Sequence, residues 1–130
     1  LHAYSYTHRQ AVDDSRRFGP PMSWQYYSFR MWEAIAAVLY SHQRDGRYPW
    51  RAKPIVITEC NHLFVDHNGG AIGWNNEASQ WMRDVYSYVS RWNAGPGEQF
   101  VHGVAMYRHH GDDWRMDDKP QLLDTLKQVG

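Results

Sequence analysis

Ile55-Val56-Ile57-Thr58-Glu59 is the stretch that decides how this chain is expected to fold. Its first four residues are β-branched and form an uninterrupted run, as in a parallel strand that is covered on both faces. A carboxylate follows at once, where the strand is predicted to end. Because burying a carboxylate without partners is costly, Glu59 is either a structural ion-pair residue or a functional one. In parallel α/β folds the C-terminal ends of the strands face the ligand crevice, which favours the functional interpretation.

The rest of the chain repeats this order of strand and helix. Helices are indicated by apolar side chains at spacings of three and four, with Ser23, Asn76 and Asp118 as N-caps. Such alternation implies parallel strands joined by right-handed crossovers. The predicted fold is therefore α/β, in one unit over residues 1–130. The predicted elements are strands at 1–6, 55–58 and 100–107 and helices near 23–44, 77–93 and 119–129.

The composition excludes several classes of partner. Fourteen Lys and Arg residues balance fourteen Asp and Glu residues, so there is no basic field to attract nucleic acid. The single cysteine, Cys60, excludes an internal disulfide framework and a multi-cysteine zinc site. No apolar run approaches the roughly 18 residues that a membrane span needs. The sequence opens at Leu1 without an initiator Met or a signal peptide, and we expect it to be cut from something longer.

Polar and aromatic side chains gather at the three predicted strand ends. The carboxyl ends of neighbouring parallel strands meet at one edge of a sheet, so these side chains are expected to form one site. For His2 and Tyr4 on the first strand, the alternative to a functional role is an ordinary structural role at the end of a strand. The side chains are His2 and Tyr4 on the first strand, Glu59 and Asn61 on the second, and Tyr107 on the third.

Two of these motifs resemble those of a known superfamily. His-x-Tyr at residues 2–4 and the apolar run with Thr-Glu at residues 55–59 are similar, in this order, to the ends of the sixth and seventh strands of the cellulase-like glycoside hydrolases. These are retaining enzymes built on a (β/α)8 barrel. The resemblance covers essentially all 130 residues in the order of elements. It implies a partial (β/α)8 barrel, made of the sixth to eighth βα units, that acts on the O-glycosidic bonds of a carbohydrate substrate. By family analogy the protein would be secreted.

The resemblance also implies roles for the residues at the strand ends. Glu59 would be the nucleophile, and Tyr4 would orient it through a hydrogen bond that lowers its pKa. His2 would contact a sugar hydroxyl or the acid/base residue. Asn61 and Tyr107 would add contacts to the substrate.

Two features of the superfamily are matched poorly. The Trp that floors its sugar site corresponds to Trp114, which lies several residues into the loop after the last strand. A retaining hydrolase also needs an acid/base carboxyl about 5–5.5 Å from the nucleophile, and the family places this Glu after an Asn at the end of the fourth strand. Asn76-Glu77 is the sole Asn-Glu pair of this sequence, and it begins a predicted helix. We therefore expect the chain to be inactive alone, and no cofactor is implied.

Two other interpretations stay open. One is a non-catalytic half-barrel that associates with itself or with the missing N-terminal part of the barrel. The other is a small metal-dependent α/β hydrolase with ligands from His62, Asp66 and His67, because two histidines bracket a carboxylate in one loop. This spacing is a weaker signal than two histidines on one helix, since a loop does not fix the directions of its side chains.

Overall fold

The computed structural model describes residues 1–5, 9–44, 54–62, 64–65, 71–95 and 100–129. They form a mixed α/β structure with three helices and three parallel strands in an open sheet, beside one short antiparallel pair. The elements are β1 (His2–Ser5), α1 (Met31–Arg44), β2 (Ile55–His62), β3 (Phe64–Val65), β4 (Ala71–Ile72), a 3-10 turn (Asn76–Ala78), α2 (Ser79–Ala94), β5 (Val101–Met106) and α3 (Pro120–Val129).

The three parallel strands lie in chain order, β1-β2-β5. Both neighbouring pairs are parallel, as the sequence predicts. The connections from β1 to β2 and from β2 to β5 advance in the same direction across the sheet. Because crossovers between parallel strands are right-handed, the helices α1 and α2 in these connections lie on the same face of the sheet.

The hydrophobic core lies between the helices and this face of the sheet. The sheet contributes Ala3, Ile57 and Cys60, none of which has any exposed surface. Burying each large apolar side chain stabilises the fold by roughly 1.5–3 kcal/mol. The aromatic rings meet edge to face, with the ring centroids of Phe29 and Trp81 6.2 Å apart. The buried side chains from the helical layer include Phe29, Trp32, Ala36, Trp81, Met82, Val85, Val89 and Leu122.

The opposite face of the sheet is open in the described part of the chain. The residues of β1 alternate between exposed and buried, as expected for a strand with one covered face. Val56, which lies between two buried isoleucines, is 45% exposed. The exposed side chains on the strands are His2, Tyr4, Val56, Thr58, His102 and Ala105.

The start of the first helix was predicted wrongly. α1 begins at Met31, not near residue 23, because residues 16–27 fold back as a hairpin. Two backbone hydrogen bonds close it, from Phe18 N to Gln25 O (3.1 Å) and from Tyr27 N to Arg16 O (3.0 Å). We call this segment the 16–27 hairpin. Ser23 lies near its tip and caps no helix.

The other two N-caps were also predicted wrongly, although their helices are present. Asn76 is the first residue of the 3-10 turn that precedes α2, and its carbonyl accepts a hydrogen bond from Ser79 Oγ (2.9 Å). The Asp118 carboxylate accepts hydrogen bonds from the side chains of Arg115 (3.0 Å) and Lys119 (2.6 Å). Side-chain partners thus occupy the Asp118 carboxylate that was expected to cap the helix.

Candidate functional site

An irregularity in β2 sets the direction of Glu59. On the β1 side the register is regular, with His2 opposite Glu59. On the β5 side the register shifts between Ile57 and Cys60, where β2 contains one residue more than the facing segment of β5. This is a β-bulge, and bulges redirect side chains next to functional sites.

The bulge places two consecutive side chains on the open face. Ile57 and Cys60 are fully buried on the helix side, whereas Thr58 is exposed and the Glu59 side chain is 31% exposed. Regular alternation after Ile57 would have directed Glu59 into the core. The strand also continues to His62. Glu59 therefore lies within the second half of β2, whereas it was predicted to lie at the end of the strand.

Glu59 forms a cluster with two side chains of β1. The Tyr4 hydroxyl donates a short hydrogen bond to Glu59 Oε2. His2 Nδ1 lies 2.9 Å from the Tyr4 hydroxyl and 3.3 Å from the same carboxylate oxygen. Because Tyr4 has a single proton and donates it to Glu59, His2 Nδ1 is the donor to Tyr4. We call these three residues the Glu59 cluster.

The contacts leave one oxygen of Glu59 available. Tyr4 donates to Oε2, which His2 Nδ1 also approaches to 3.3 Å, and among the described residues Oε1 accepts no hydrogen bond. The carboxylate is therefore held in place through one oxygen, while the other can react with a molecule on the open face.

Tyr4 is suited to remain a donor. Partial burial raises the pKa of its hydroxyl to about 12, with further contributions from the hydrogen bond and the negative charge of Glu59. The neighbouring Tyr107 and Cys60 add to this rise. The phenol is thus protonated throughout the physiological range, and its hydrogen bond to Glu59 does not depend on pH there.

Two of the other predicted site residues lie near the cluster. Asn61 is opposite Tyr4 in the register, two residues beyond Glu59 and on the same face, and it is 5% exposed. Tyr107 follows β5, and its N–H donates to the carbonyl of Cys60 (3.0 Å). This hydrogen bond places the backbone of Tyr107 beside β2, one residue beyond Glu59. The strand ends thus bring four predicted residues to the surroundings of Glu59.

Trp114, the predicted sugar floor, is half-buried in the loop after β5. Its carbonyl accepts a hydrogen bond from Arg108 N (3.1 Å). Its backbone packs against Gly73, where an added Cβ would lie 2.6 Å from Trp114 Cα. Within the described residues, neither a ring contact nor a side-chain hydrogen bond joins its indole to the Glu59 cluster. The residue is well anchored, but its role as a floor stays a prediction.

The metal interpretation loses one of its three ligands. His62 has no exposed surface and lies on the helix side of the sheet, opposite Ser5 in the register. Its ring packs edge to face against Trp74 and Trp81, with centroid distances of 4.8 Å and 5.5 Å. Asp66 and His67 lie outside the described residues. In the described ranges, no three His, Cys, Asp or Glu side chains come together to hold a metal ion.

Sequence reasoning missed the features that support the cluster. The sequence contains a signal for the bulge. In a regular strand Glu59 would lie on the same face as Ile55 and Ile57, and its carboxylate would then point into the core. Trp74, whose indole N–H donates to the Tyr107 carbonyl, had no comparable signal. Nor did the pair of His110 and Asp117, which braces the loop after β5 and lowers the pKa of Asp117.

None of the described helices is long and apolar enough to cross a membrane. Comparison of the chain with protein-family models, with curated proteins and with solved structures found no match in any of the three.

Proposed function

We propose that this chain is the C-terminal part of a (β/α)8-barrel glycoside hydrolase and that Glu59 is the nucleophile of a retaining reaction. One observation carries the proposal. The Glu59 carboxylate lies on the open face of a parallel sheet, held through Oε2 by Tyr4 and His2 with Oε1 available.

The topology supports a barrel segment. A doubly wound sheet reverses direction and has helices on both faces, whereas a barrel advances in one direction with its helices outside. The order β1-β2-β5 advances in one direction, and the helical layer packs on one face. On this proposal the open face corresponds to the barrel interior, and the Glu59 cluster faces that interior from within β1 and β2.

The chemistry follows from the position of Glu59. In the first step Oε1 of Glu59 forms a bond to the anomeric carbon, and the bond to the leaving oxygen breaks with its electron pair. The leaving oxygen takes a proton from an acid carboxyl about 5–5.5 Å from the nucleophile. Water then gives a proton to the acid residue, which is now a carboxylate, attacks the anomeric carbon and releases Glu59 as the carboxylate.

We propose that the acid comes from another part of the barrel, because the sole Asn-Glu pair of the sequence, Asn76-Glu77, does not follow a strand end. Among the described residues the side-chain partners of Glu59 are Tyr4 and His2, neither of which is a carboxylic acid. General acid catalysis typically contributes 10²–10⁴-fold, and a natural sugar leaving group depends on it. The isolated chain is therefore expected to leave natural polysaccharides intact.

An activated substrate tests the proposal. Dinitrophenyl glycosides have a leaving group that needs no proton, so the chain should release a trace of dinitrophenolate from them while a soluble glucan stays intact. Glu59→Gln should abolish this release, and Glu77→Gln, which changes a carboxylate that is 68% exposed, should preserve it. Robust cleavage of the glucan that persists in Glu59→Gln would refute the assignment of Glu59 as the nucleophile. It would also refute the claim that activity requires a further part of the barrel.

A second candidate is a non-catalytic half-barrel that associates through its open face. The exposure of Val56, the second residue of the central strand β2, favours it, since a central strand of a sheet is normally covered. In the isolated chain the available occupant of this face is a second copy.

A further inference from the structure

A polar groove lies between α2 and α3, on the opposite side of the sheet from the Glu59 cluster. Its volume is about 550 Å³, and most of its lining side chains belong to α2. None of these side chains is acidic, whereas two are arginines and three carry a hydroxyl. The lining residues are Arg83, Tyr86, Ser87, Ser90, Arg91 and Val129.

The two arginines of the groove have no carboxylate partner among the described residues. Arg83 Nη2 donates to the neutral side chains of Gln128 (2.6 Å) and Thr125 (3.5 Å) on α3. Arg91 packs on the ring of Tyr88, with its guanidinium carbon 5.7 Å from the centroid. Most of the other described arginines are ion-paired with a carboxylate, namely Arg9, Arg16, Arg30, Arg108 and Arg115. The groove therefore holds two positive charges that no contacting carboxylate neutralises.

The carboxylates nearby belong to a separate cavity on the other side of Arg91. This cavity, of about 240 Å³, is lined by Asp13 and Asp84 as well as by Arg91. Within the described part of the chain, neither carboxylate forms an ion pair with Arg91, and Asp84 accepts a hydrogen bond from Gln80 (2.8 Å). The N–H donors of Arg91 are thus available to a ligand in the groove.

Ser87 lies between the two arginines on the surface of α2. It is four residues from each of them, and helical residues at this spacing are neighbours whose Cβ atoms are about 5–6 Å apart. Ser90, three residues further along, adds a second hydroxyl on the same surface, and both serines are exposed. The long side chains of Arg83 and Arg91 can therefore bind one anion from two sides, above the Ser87 hydroxyl.

These donors match a tetrahedral dianion. Guanidinium groups bind phosphate oxygens through paired N–H donors, and two of them balance the charge of a phosphate group above its second pKa. A single carboxylate has one charge and two oxygens, so it would leave one guanidinium without a partner. Two arginines are also fewer than the roughly four to eight basic residues by which proteins recognise anionic membranes, which favours a small ligand.

We infer that this groove binds the phosphate group of a small phosphorylated ligand, held by the guanidiniums of Arg83 and Arg91 above the hydroxyl of Ser87. We call it the phosphate groove. It is separate from Glu59 and does not depend on the proposed function.

NMR titration of the isotope-labelled chain with inorganic phosphate, at constant ionic strength, tests the groove. The amide signals of Ser87 and Ser90 should shift, sulfate should compete, and acetate should not. Arg83→Gln and Arg91→Gln should each weaken binding by about tenfold, because each removes a charge-assisted contact. Ser87→Ala changes no charge and should weaken binding by about fivefold, because it removes one hydrogen bond.

Lys127→Gln is the matched control. It removes one positive charge from α3, but Lys127 is paired with Asp124 (3.1 Å) and does not line the groove. It should bind phosphate as the unmodified chain does. Unchanged circular dichroism spectra would show that the variants fold. If the loss of its contacts to α3 unfolds Arg83→Gln, Arg91→Gln still tests the groove, because Arg91 donates no hydrogen bond to the described residues.

Three results would overturn the phosphate groove: no shift with phosphate, binding that Arg91→Gln leaves unchanged, or an equal loss in Lys127→Gln. Vesicles that contain phosphatidic acid separate a lipid phosphate from a small ligand. The chain should stay in the supernatant when they are sedimented, and co-sedimentation that Arg91→Gln abolishes would overturn the small ligand. Glu59→Gln should bind phosphate as the unmodified chain does, since the two sites lie on opposite sides of the sheet.

Discussion

Glu33 and Glu59 each accept a hydrogen bond from a tyrosine hydroxyl, but their surroundings differ. Glu33 is buried on α1, where Arg30 binds both of its oxygens (2.7 Å and 2.9 Å) and Tyr88 binds Oε1. Glu59 is partly exposed, and Tyr4 and His2 both bind Oε2. The two oxygens of Glu33 are occupied and its charge is neutralised, as in a structural carboxylate, whereas the contacts of Glu59 to one oxygen leave the other for the reaction that we propose.

Removing the charge of each carboxylate should sharpen this difference. Glu33→Gln leaves the Arg30 guanidinium, 17% exposed, without its counter-charge, and we expect the free energy of unfolding to fall by about 3 kcal/mol. Glu59→Gln should lower it by only about 1 kcal/mol, because its side chain is partly exposed and water can replace the weakened contacts. Urea denaturation of both variants measures the two values. Equal losses would show that Glu59 is a structural residue.

The open surroundings of Glu59 should also promote self-association. Paired copies would bury the exposed Val56 and the unpaired edges of β1 and β5. Analytical ultracentrifugation at micromolar concentration should show a dimer, and Val56→Asp should weaken it by about tenfold, since a charge would have to be buried. Val38→Asp, at an equally exposed position on α1, is the control and should leave the dimer intact. A stable monomer of the unmodified chain would contradict this expectation.

Removing the hydroxyls of the two tyrosines should change the free energy of unfolding by smaller amounts. Tyr88→Phe removes a hydroxyl from a half-buried cluster and should lower the free energy of unfolding by about 1–2 kcal/mol. Tyr4→Phe should lower it by less, because water can replace the exposed hydroxyl, but should slow the reaction of Glu59 with an activated glycoside. A Tyr4→Phe variant with unchanged reactivity would show that the hydroxyl does not position the carboxylate.

The ionisation of Tyr4 gives the smallest expected effect. Its pKa is raised to about 12 in the folded chain, against about 10 for an ordinary tyrosine. The stabilisation that this shift represents is complete below about pH 10 and is lost as the pH rises towards 12. In ultraviolet titration the unmodified chain should show a tyrosine that ionises near pH 12, and Tyr4→Phe should lack it. Loss of a group that ionises near pH 10 would contradict the hydrogen bond to Glu59.

The sequence predicted the features that depend on local periodicity. The isoleucines of β2 are buried as expected. The predicted stripe of the second helix, from Ala78 to Trp92, is buried up to Val89, while Trp92 is half-buried against the core. The strand order follows from the alternation of elements. The contact between Tyr4 and Glu59 was also predicted, but the resemblance implied it. The alternation of elements predicted only that the two parallel strands bring their polar residues to one site.

The features that depend on distant contacts could not be predicted. The start of α1 was wrong because Arg17 and Tyr26 pair across the 16–27 hairpin, and helical spacing does not reveal such pairing. The bulge depends on the registers of β2 with both of its neighbours. His62 was placed in a metal-binding loop because β2 was predicted to end four residues too early.

Covalent trapping of Glu59 tests the central claim most directly. In a dinitrophenyl 2-deoxy-2-fluoro glycoside the leaving group departs with its electron pair and needs no proton, while the fluorine slows hydrolysis of the intermediate. Incubation with the gluco and xylo probes, followed by peptide mass spectrometry, should show one fluoroglycosyl adduct on Glu59 that is absent from Glu59→Gln and retained in Glu77→Gln. An adduct on another residue, equal labelling of Glu59→Gln, or no adduct from either probe on the folded chain would contradict the account.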